Sequence, residues 1–351
     1  MSPSQESPID PSGTPREPEG TLSPLFLCRA AMGGALMGLA NLVPGISGGT
    51  MLLAAGVYPA FVEAVASVSR LARRWHPWLV LVAVALPAVV AIGVLAGTVR
   101  DAVLVHRWIA YSLFIGLTLG GAPTLLRMIR PLTRGAIVAA SVAFVAMIGL
   151  AILQESGVAE SGGGGGVLGL GAAGFAGAAA MVLPGVSGGY LLLLLGQYVA
   201  VLDAISTLAD AVRSANPSAI VDAAPPIVAV GIGVLLGIAL VSNAVRWLLR
   251  HHREVTLGAL LGLLLGAVAG LWPFREPVVP EVGSVIRGER IETATQAEQV
   301  PLKHRPTRAF TPSPALVGGG IGLVLVGLAA SLSIARIGRD EDKESGNKNS
   351  D

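Results

Sequence analysis

The string Pro44-Gly45-Ile46-Ser47-Gly48-Gly49 returns 140 residues later as Pro184-Gly185-Val186-Ser187-Gly188-Gly189. The echo extends outward: Leu52, Leu53, Gly56 and Tyr58 recur as Leu192, Leu193, Gly196 and Tyr198, and Glu63 recurs as Asp203. A repeat this close makes the chain two copies of one unit. Each copy places helix breakers inside apolar sequence. A bilayer accepts irregular backbone only where it is buried in protein or lines a cavity. Paired broken segments at matching positions of two halves therefore point to a transporter binding site.

Composition places the chain in the membrane. Hydrophobic residues make up 53% of its 351 residues and charged residues 13%, with a mean hydropathy of +0.70. That balance excludes a soluble domain with a single core. The one cysteine, Cys28, excludes an internal disulfide framework and leaves no basis for a cysteine metal site. Residues 1–21 read as a disordered polar tail without signal-peptide features.

Apolar segments are predicted over 24–43, 50–68, 78–98, 108–126 and 135–154, and again over 167–183, 190–208, 224–245, 256–274 and 314–337. Membrane repeat 1 thus spans 22–154, a glycine-rich linker 155–166, and membrane repeat 2 167–337, followed by a polar tail over 338–351. Five segments per unit is an odd number, so the second copy enters upside down. The same holds if the first two segments of each unit form a re-entrant hairpin. The expected fold is an all-α polytopic integral membrane protein. It has two inverted-topology repeats of five apolar segments, with paired broken or re-entrant helices carrying the Pro-Gly-x-Ser-Gly-Gly motifs at the membrane midplane.

Basic residues cluster in the loops after the second, fourth and eighth segments (Arg70, Arg73, Arg74; Arg127, Arg130, Arg134; Arg246, Arg250, Arg253) and in the tail. By the positive-inside rule both termini then lie in the cytoplasm. The 275–310 loop falls outside.

The motif has a chemistry of its own. Pro44 and Pro184 interrupt helix, and Gly45, Gly185 and their neighbours permit turns. Ser47 and Ser187 stand where an N-cap is expected, ahead of the apolar runs beginning at Thr50 and Tyr190. A helix start presents unpaired N–H groups and the positive end of its dipole. Gly48, Gly49, Gly188 and Gly189 would let an anionic oxygen group such as phosphate approach those donors. Ser47, Thr50 and Ser187 add hydroxyls and Asn41 an amide. The plainer reading of one such string is a tight turn between packed helices; its duplication favours a binding site.

Glu63 and Asp203, at matching positions, are candidate proton relays, or else solvated acids at the interface. Arg29 could snorkel to the cytoplasmic surface or reach a phosphate. Gly258, Gly262, Gly266 and Gly270, and more briefly Gly34 and Gly38, form small-residue seams for close helix packing. No histidine lies at either motif, which leaves a nucleophile or a metal centre without support. The residues call for no cofactor and no nucleic-acid partner.

Asn41 to Thr50, continued by Gly56-Val57-Tyr58, resembles the first signature of the bacterial and archaeal "domain of unknown function 368" family. Leu183 to Gly188, continued by Leu191 to Tyr198, is similar to its second. The resemblance covers about 24–337. It implies a polyprenyl-phosphate translocase, not an enzyme, that returns undecaprenyl phosphate to the cytoplasmic leaflet of the plasma membrane for cell-wall synthesis. The polyprenyl-phosphate lipid and the bilayer are then its partners. Two departures stand out: Gly189 replaces a serine common in the second signature, and the 275–310 loop is long. Two other classes stay open on the residues alone. One is a channel or transporter for a small soluble anion. The other is a membrane lipid phosphatase, which the lack of His or acid within the signatures disfavours.

Overall fold

Among the described residues the ten expected apolar segments become thirteen helices, because the chain breaks inside three of them, and a short fourteenth helix forms in the 275–310 loop. The computed structural model describes residues 23–43, 46–70, 75–155, 166–286, 289–301 and 305–348. The polar tail 1–21, Pro44, Gly45 and most of the 155–166 linker lie outside the described residues.

The first half holds α1 (Pro24–Asn41), α2 (Gly48–Ala54), α3 (Tyr58–Ser69), α4 (Trp75–Val105), α5 (Arg107–Leu119), α6 (Ala122–Met128) and α7 (Arg134–Glu155). The second holds α8 (Gly166–Val182), α9 (Gly188–Leu194), α10 (Tyr198–Arg213), α11 (Pro217–His251), α12 (Arg253–Gly270), a short α13 (Ala294–Gln299) and α14 (Pro314–Lys348). Six stretches among the described residues are long and apolar enough to cross a bilayer: those of α4, α5 with α6, α7, α11, α12 and α14. α8, at 17 residues, is shorter, and the 18-residue α1 is not among them.

The expected second and seventh segments are not continuous. Each is a seven-residue helix, a turn and a second helix. The turn has a local cause. Val57 N–H bonds to the Leu52 carbonyl at 3.0 Å and Gly56 N–H to that of Leu53 at 2.9 Å. Gly56 is left-handed, with φ of 69°. This is a Schellman closure, which needs glycine at that place. The second half repeats it with Gln197 N–H on the Leu192 carbonyl at 2.9 Å and Gly196 at φ 64°.

Helix pairing follows the duplication. α1 runs along α4 and α8 along α11; α5 runs along α14 and α12 along α7. Exchanging the halves converts each of these pairs into the other. Small residues allow the approach. A Cβ on Gly34 or Gly38 would collide with the backbone of Val84 or Ala88, and one on Gly174 with Val230. Gly258 and Gly262 abut the backbone of Ala136 and Ala140 in the same way, so the glycine seam of α12 closes on α7.

The halves differ in burial. All of α2 is buried, with Leu52, Leu53, Val57 and Tyr58 packed against Leu257, Leu260 and Leu264 of α12. Its counterpart α9 is partly exposed. Between α12 and α14 the long loop has structure of its own. β1 (Arg275–Pro277) pairs antiparallel with β4 (Thr307–Ala309), and β2 (Val285–Ile286) with β3 (Glu289–Arg290). Phe274 meets Trp272 and Phe310 edge to face. Two boundaries differ from expectation. α11 runs on to His251, so Arg246 and Arg250 are helical rather than in a loop, and α14 continues to Lys348 through the expected polar tail.

Candidate functional site

Ser47 takes the N-cap place of α2 in an extended conformation, but its side chain does not cap the helix. Its hydroxyl instead donates to the Leu183 carbonyl at 3.4 Å, in the first residues of the second motif. Thr50 donates back to the Ser47 carbonyl at 2.5 Å. Both hydroxyls are buried and engaged within the protein. Gly48 and Gly49 are the first two residues of α2, where the N–H groups have no acceptor in the helix. The Asn41 side chain lies over this start: a Cβ on Gly48 would come within 3.0 Å of its Oδ1. Gly49 is pressed against the other half, where a Cβ would stand 3.2 Å from the Met181 carbonyl oxygen and 3.4 Å from Pro184 Cα. The two motifs therefore meet.

The second motif is built alike but is less enclosed. Pro184 is buried, and Gly185 adopts φ of 92° against the Leu263 carbonyl. Gly188 faces the Gly177 carbonyl, with room for no side chain. Ser187 is partly exposed, and Gly189 is exposed with nothing within 4 Å of where a Cβ would be. A serine at 189 would thus be accommodated. Seven residues make about two turns, so each motif helix has a short dipole. What the pair offers an anion in this arrangement is mainly its unpaired N–H groups and the Ser187 hydroxyl, since those of Ser47 and Thr50 donate to carbonyls.

Arg29 is half-buried. Its guanidinium donates to the Ala55 carbonyl at 3.1 and 3.3 Å and to that of Gly56 at 3.3 Å. It satisfies the carbonyl end of α2 and holds the turn, a role that favours a cation. Tyr58 is fully buried, and its hydroxyl donates to the Val182 carbonyl across the halves at 2.9 Å. Glu63 meets Arg246 at 2.6 Å and Arg250 at 3.5 Å on α11. Beside it, Arg70 Nε donates to Asn243 Oδ1 at 2.6 Å and Asn243 donates to Ser69 Oγ at 2.8 Å. Asp203 is exposed.

Sequence reasoning missed the partners. The sequence places Arg246 and Arg250 in a loop after the eighth segment, and nothing local ties them to Glu63. Arg107 and Tyr111 were also missed. Tyr111 packs with Val43 and Ile46 of the first motif, and the Arg107 guanidinium sits 4.1 Å above its ring. The only signal was an arginine four residues before a tyrosine at a segment start. Among the described residues no group of His, Cys, Asp or Glu is arranged to hold a metal.

The VCA0040-like family, described as undecaprenyl phosphate translocase-like, matches residues 37–284, a span that contains both motifs. The chain belongs to this family. It is 27% identical over 289 residues to a polyprenyl-phosphate transporter of Vibrio cholerae, covering 79% of this chain and 84% of that one. It is 28% identical over 254 residues to a polyprenyl-phosphate transporter of Staphylococcus aureus, covering 68% and 84%. No solved structure matches the chain. With six long apolar helices and transporters as relatives, this is a multi-pass membrane protein.

Proposed function

We propose that this protein carries undecaprenyl phosphate, or a related polyprenyl phosphate, across the plasma membrane to the cytoplasmic leaflet, recycling the carrier for envelope synthesis. The observation that carries the reading is the meeting of the two motifs, with Ser47 bonded to Leu183 and Gly49 against Pro184. A monophosphate head group is costly to move through hydrocarbon unaided. A protein-lined junction of N–H groups and hydroxyls replaces its water, while the prenyl chain stays in lipid. In this reading the cradle is formed by Asn41, Ser47, Gly48, Gly49, Thr50, Ser187, Gly188 and Gly189. Pro44, Gly45, Pro184 and Gly185 shape its loops. No step requires covalent chemistry, so the protein acts as a transporter rather than an enzyme.

The topology we propose makes α1 with α2–α3, and α8 with α9–α10, two re-entrant hairpins. Each half then contributes three crossings, an odd number that inverts one half against the other. Both termini lie in the cytoplasm, on the side of the arginine-rich loops. Arg29, tied to the α2 turn, is left out of the cradle.

The test is transfer between leaflets. Undecaprenyl phosphate is placed in one leaflet of proteoliposomes, and its arrival in the other is followed with wild-type protein and with Ser47→Ala, Ser187→Ala. Transfer by the wild type that is lost in a correctly inserted double variant supports the reading. Unchanged transfer by the variant removes the cradle. Uptake of a soluble anion without any lipid transfer replaces the substrate.

A further inference from the structure

Three of the contacts between the first hairpin and the second half have partners that the duplication can be asked to repeat. Ser47 donates to the Leu183 carbonyl, Tyr58 donates to the Val182 carbonyl, and Glu63 pairs with Arg246. The duplication defines a reciprocal partner for every one of these residues. Ser187, Tyr198 and Asp203 are the counterparts of the three hairpin residues, and Val43 and Leu42 those of Leu183 and Val182. The counterpart of Arg246 comes from helix packing. Gly34 seats on Val84 of α4, and its repeat mate Gly174 seats on Val230 of α11, 146 residues further on. The same step takes Arg100 of α4 to Arg246. An acid on the hairpin and an arginine on the opposite half's long helix are thus present twice in the sequence.

Among the described residues the structure holds the first of the two sets. Among the described residues Ser187, Tyr198 and Asp203 make none of the reciprocal contacts, and Asp203 is exposed. The packing is lopsided in the same sense: α3 lies against α11, whereas the described residues of α10 and α4 do not form the matching interface. Two nearly identical hairpins, one locked into the opposite half and one loose, are what a molecule with two interconvertible arrangements shows in one of them.

We infer that Tyr58–Val182 with Glu63–Arg246, and Tyr198–Leu42 with Asp203–Arg100, are alternative latches, made one set at a time, which hold the motif junction toward one leaflet and then the other. This rests on the transport reading and assigns Glu63 and Asp203 to gating rather than to proton relay. A latch must be broken in each cycle.

The experiment uses the full chain in membranes with Cys28→Ser as background. Cysteines are placed at 63 and 246 in one variant and at 100 and 203 in another. A reducible bifunctional methanethiosulfonate reagent, long enough to replace the Glu and Arg side chains that a direct disulfide could not span, is expected to cross-link both pairs, and each cross-link should arrest transfer of undecaprenyl phosphate until it is reduced. In a protein with all four cysteines, a sulfhydryl reagent bridging the first pair should block bridging of the second. A 100–203 pair that never cross-links, with or without added lipid, while 63–246 does so readily, overturns the proposal. Cross-linking is read without reference to substrate. A protein that bridges both ways yet moves no polyprenyl phosphate loses the transport reading and keeps the latches. One that moves it but never forms the second bridge loses the latches alone.

A milder pair of variants guards against misfolding. Tyr58→Phe weakens the latch seen, and Tyr198→Phe its alternative. Each should shift the balance of states by about fivefold, in opposite directions, as expected for one hydrogen bond. The shift is read as maleimide labelling of a cysteine at 189, which the observed arrangement leaves open. Labelling should slow for Tyr58→Phe and quicken for Tyr198→Phe; a shift of the same sign in both also overturns the proposal.

Discussion

Positions 49 and 189 occupy the same place in the two motifs, yet serine should have opposite effects there. At 189 a Cβ meets nothing within 4 Å. Gly189→Ser therefore adds a hydroxyl beside the second motif helix without displacing anything, and it lowers the backbone entropy lost on folding. A hydrogen bond to a charged group contributes about 1.5–3 kcal/mol. Ordering one small side chain offsets up to about 1 kcal/mol of that. A net gain of about 1 kcal/mol corresponds to about a fivefold lower apparent KM for the lipid phosphate. At 49 the added carbon stands 3.2 Å from the Met181 carbonyl oxygen, and the loop before the second motif must move to admit it. Overpacking of that kind costs about 1–3 kcal/mol. Gly49→Ser should reduce both transport and thermal stability. The assay is the initial rate of leaflet transfer against lipid concentration, with melting in detergent measured in parallel. Unchanged KM in well-inserted Gly189→Ser, or equal improvement from both substitutions, refutes the cradle geometry.

Gly56→Ala should destabilise by about 1–2 kcal/mol from its left-handed backbone alone. It should lose more because the added methyl meets the Arg29 guanidinium; a lowered melting temperature checks this. Glu63→Gln leaves the charge of Arg246, a side chain 14% exposed, without its carboxylate. Because Glu63 is 40% exposed, solvent screens the loss to about 1 kcal/mol. Combining it with Arg246→Met should recover part of the melting temperature. Gly262→Leu drives a side chain into the Ala140 backbone and should separate α12 from α7, seen as loss of monodisperse protein on size exclusion.

Much of this was legible in the sequence wherever the cause is local or periodic. The motif helices begin at Gly48 and Gly188, next to the serines expected to precede them. The α12 glycine seam sits in a groove, as its four-residue spacing requires. The breaks at Gly56 and Gly196 were not foreseen, because a lone glycine in an apolar run only permits a left-handed turn. What closes the first one includes Arg29, which comes from another helix. Arg246 and Arg250 read as a loop because charge usually marks the end of a span; their carboxylate partner lies far away in the chain. Identical motif strings also predict identical surroundings. The burial of Ser47, set against the exposure at 189, is decided by packing between halves and has no local signal.

The crossed pairing of the long helices bears on how the chain is made. α5 lies along α14 and α7 along α12, so neither half encloses its own last helices. Gly116 presses on the backbone of Val324, near the end of the chain. During synthesis the first half must wait in the bilayer with that groove uncovered, until the final helix emerges to fill it. Expressed alone, either half would expose a face shaped for the other. Expressed together as separate chains, the two should assemble, because the paired faces lie on the helices themselves.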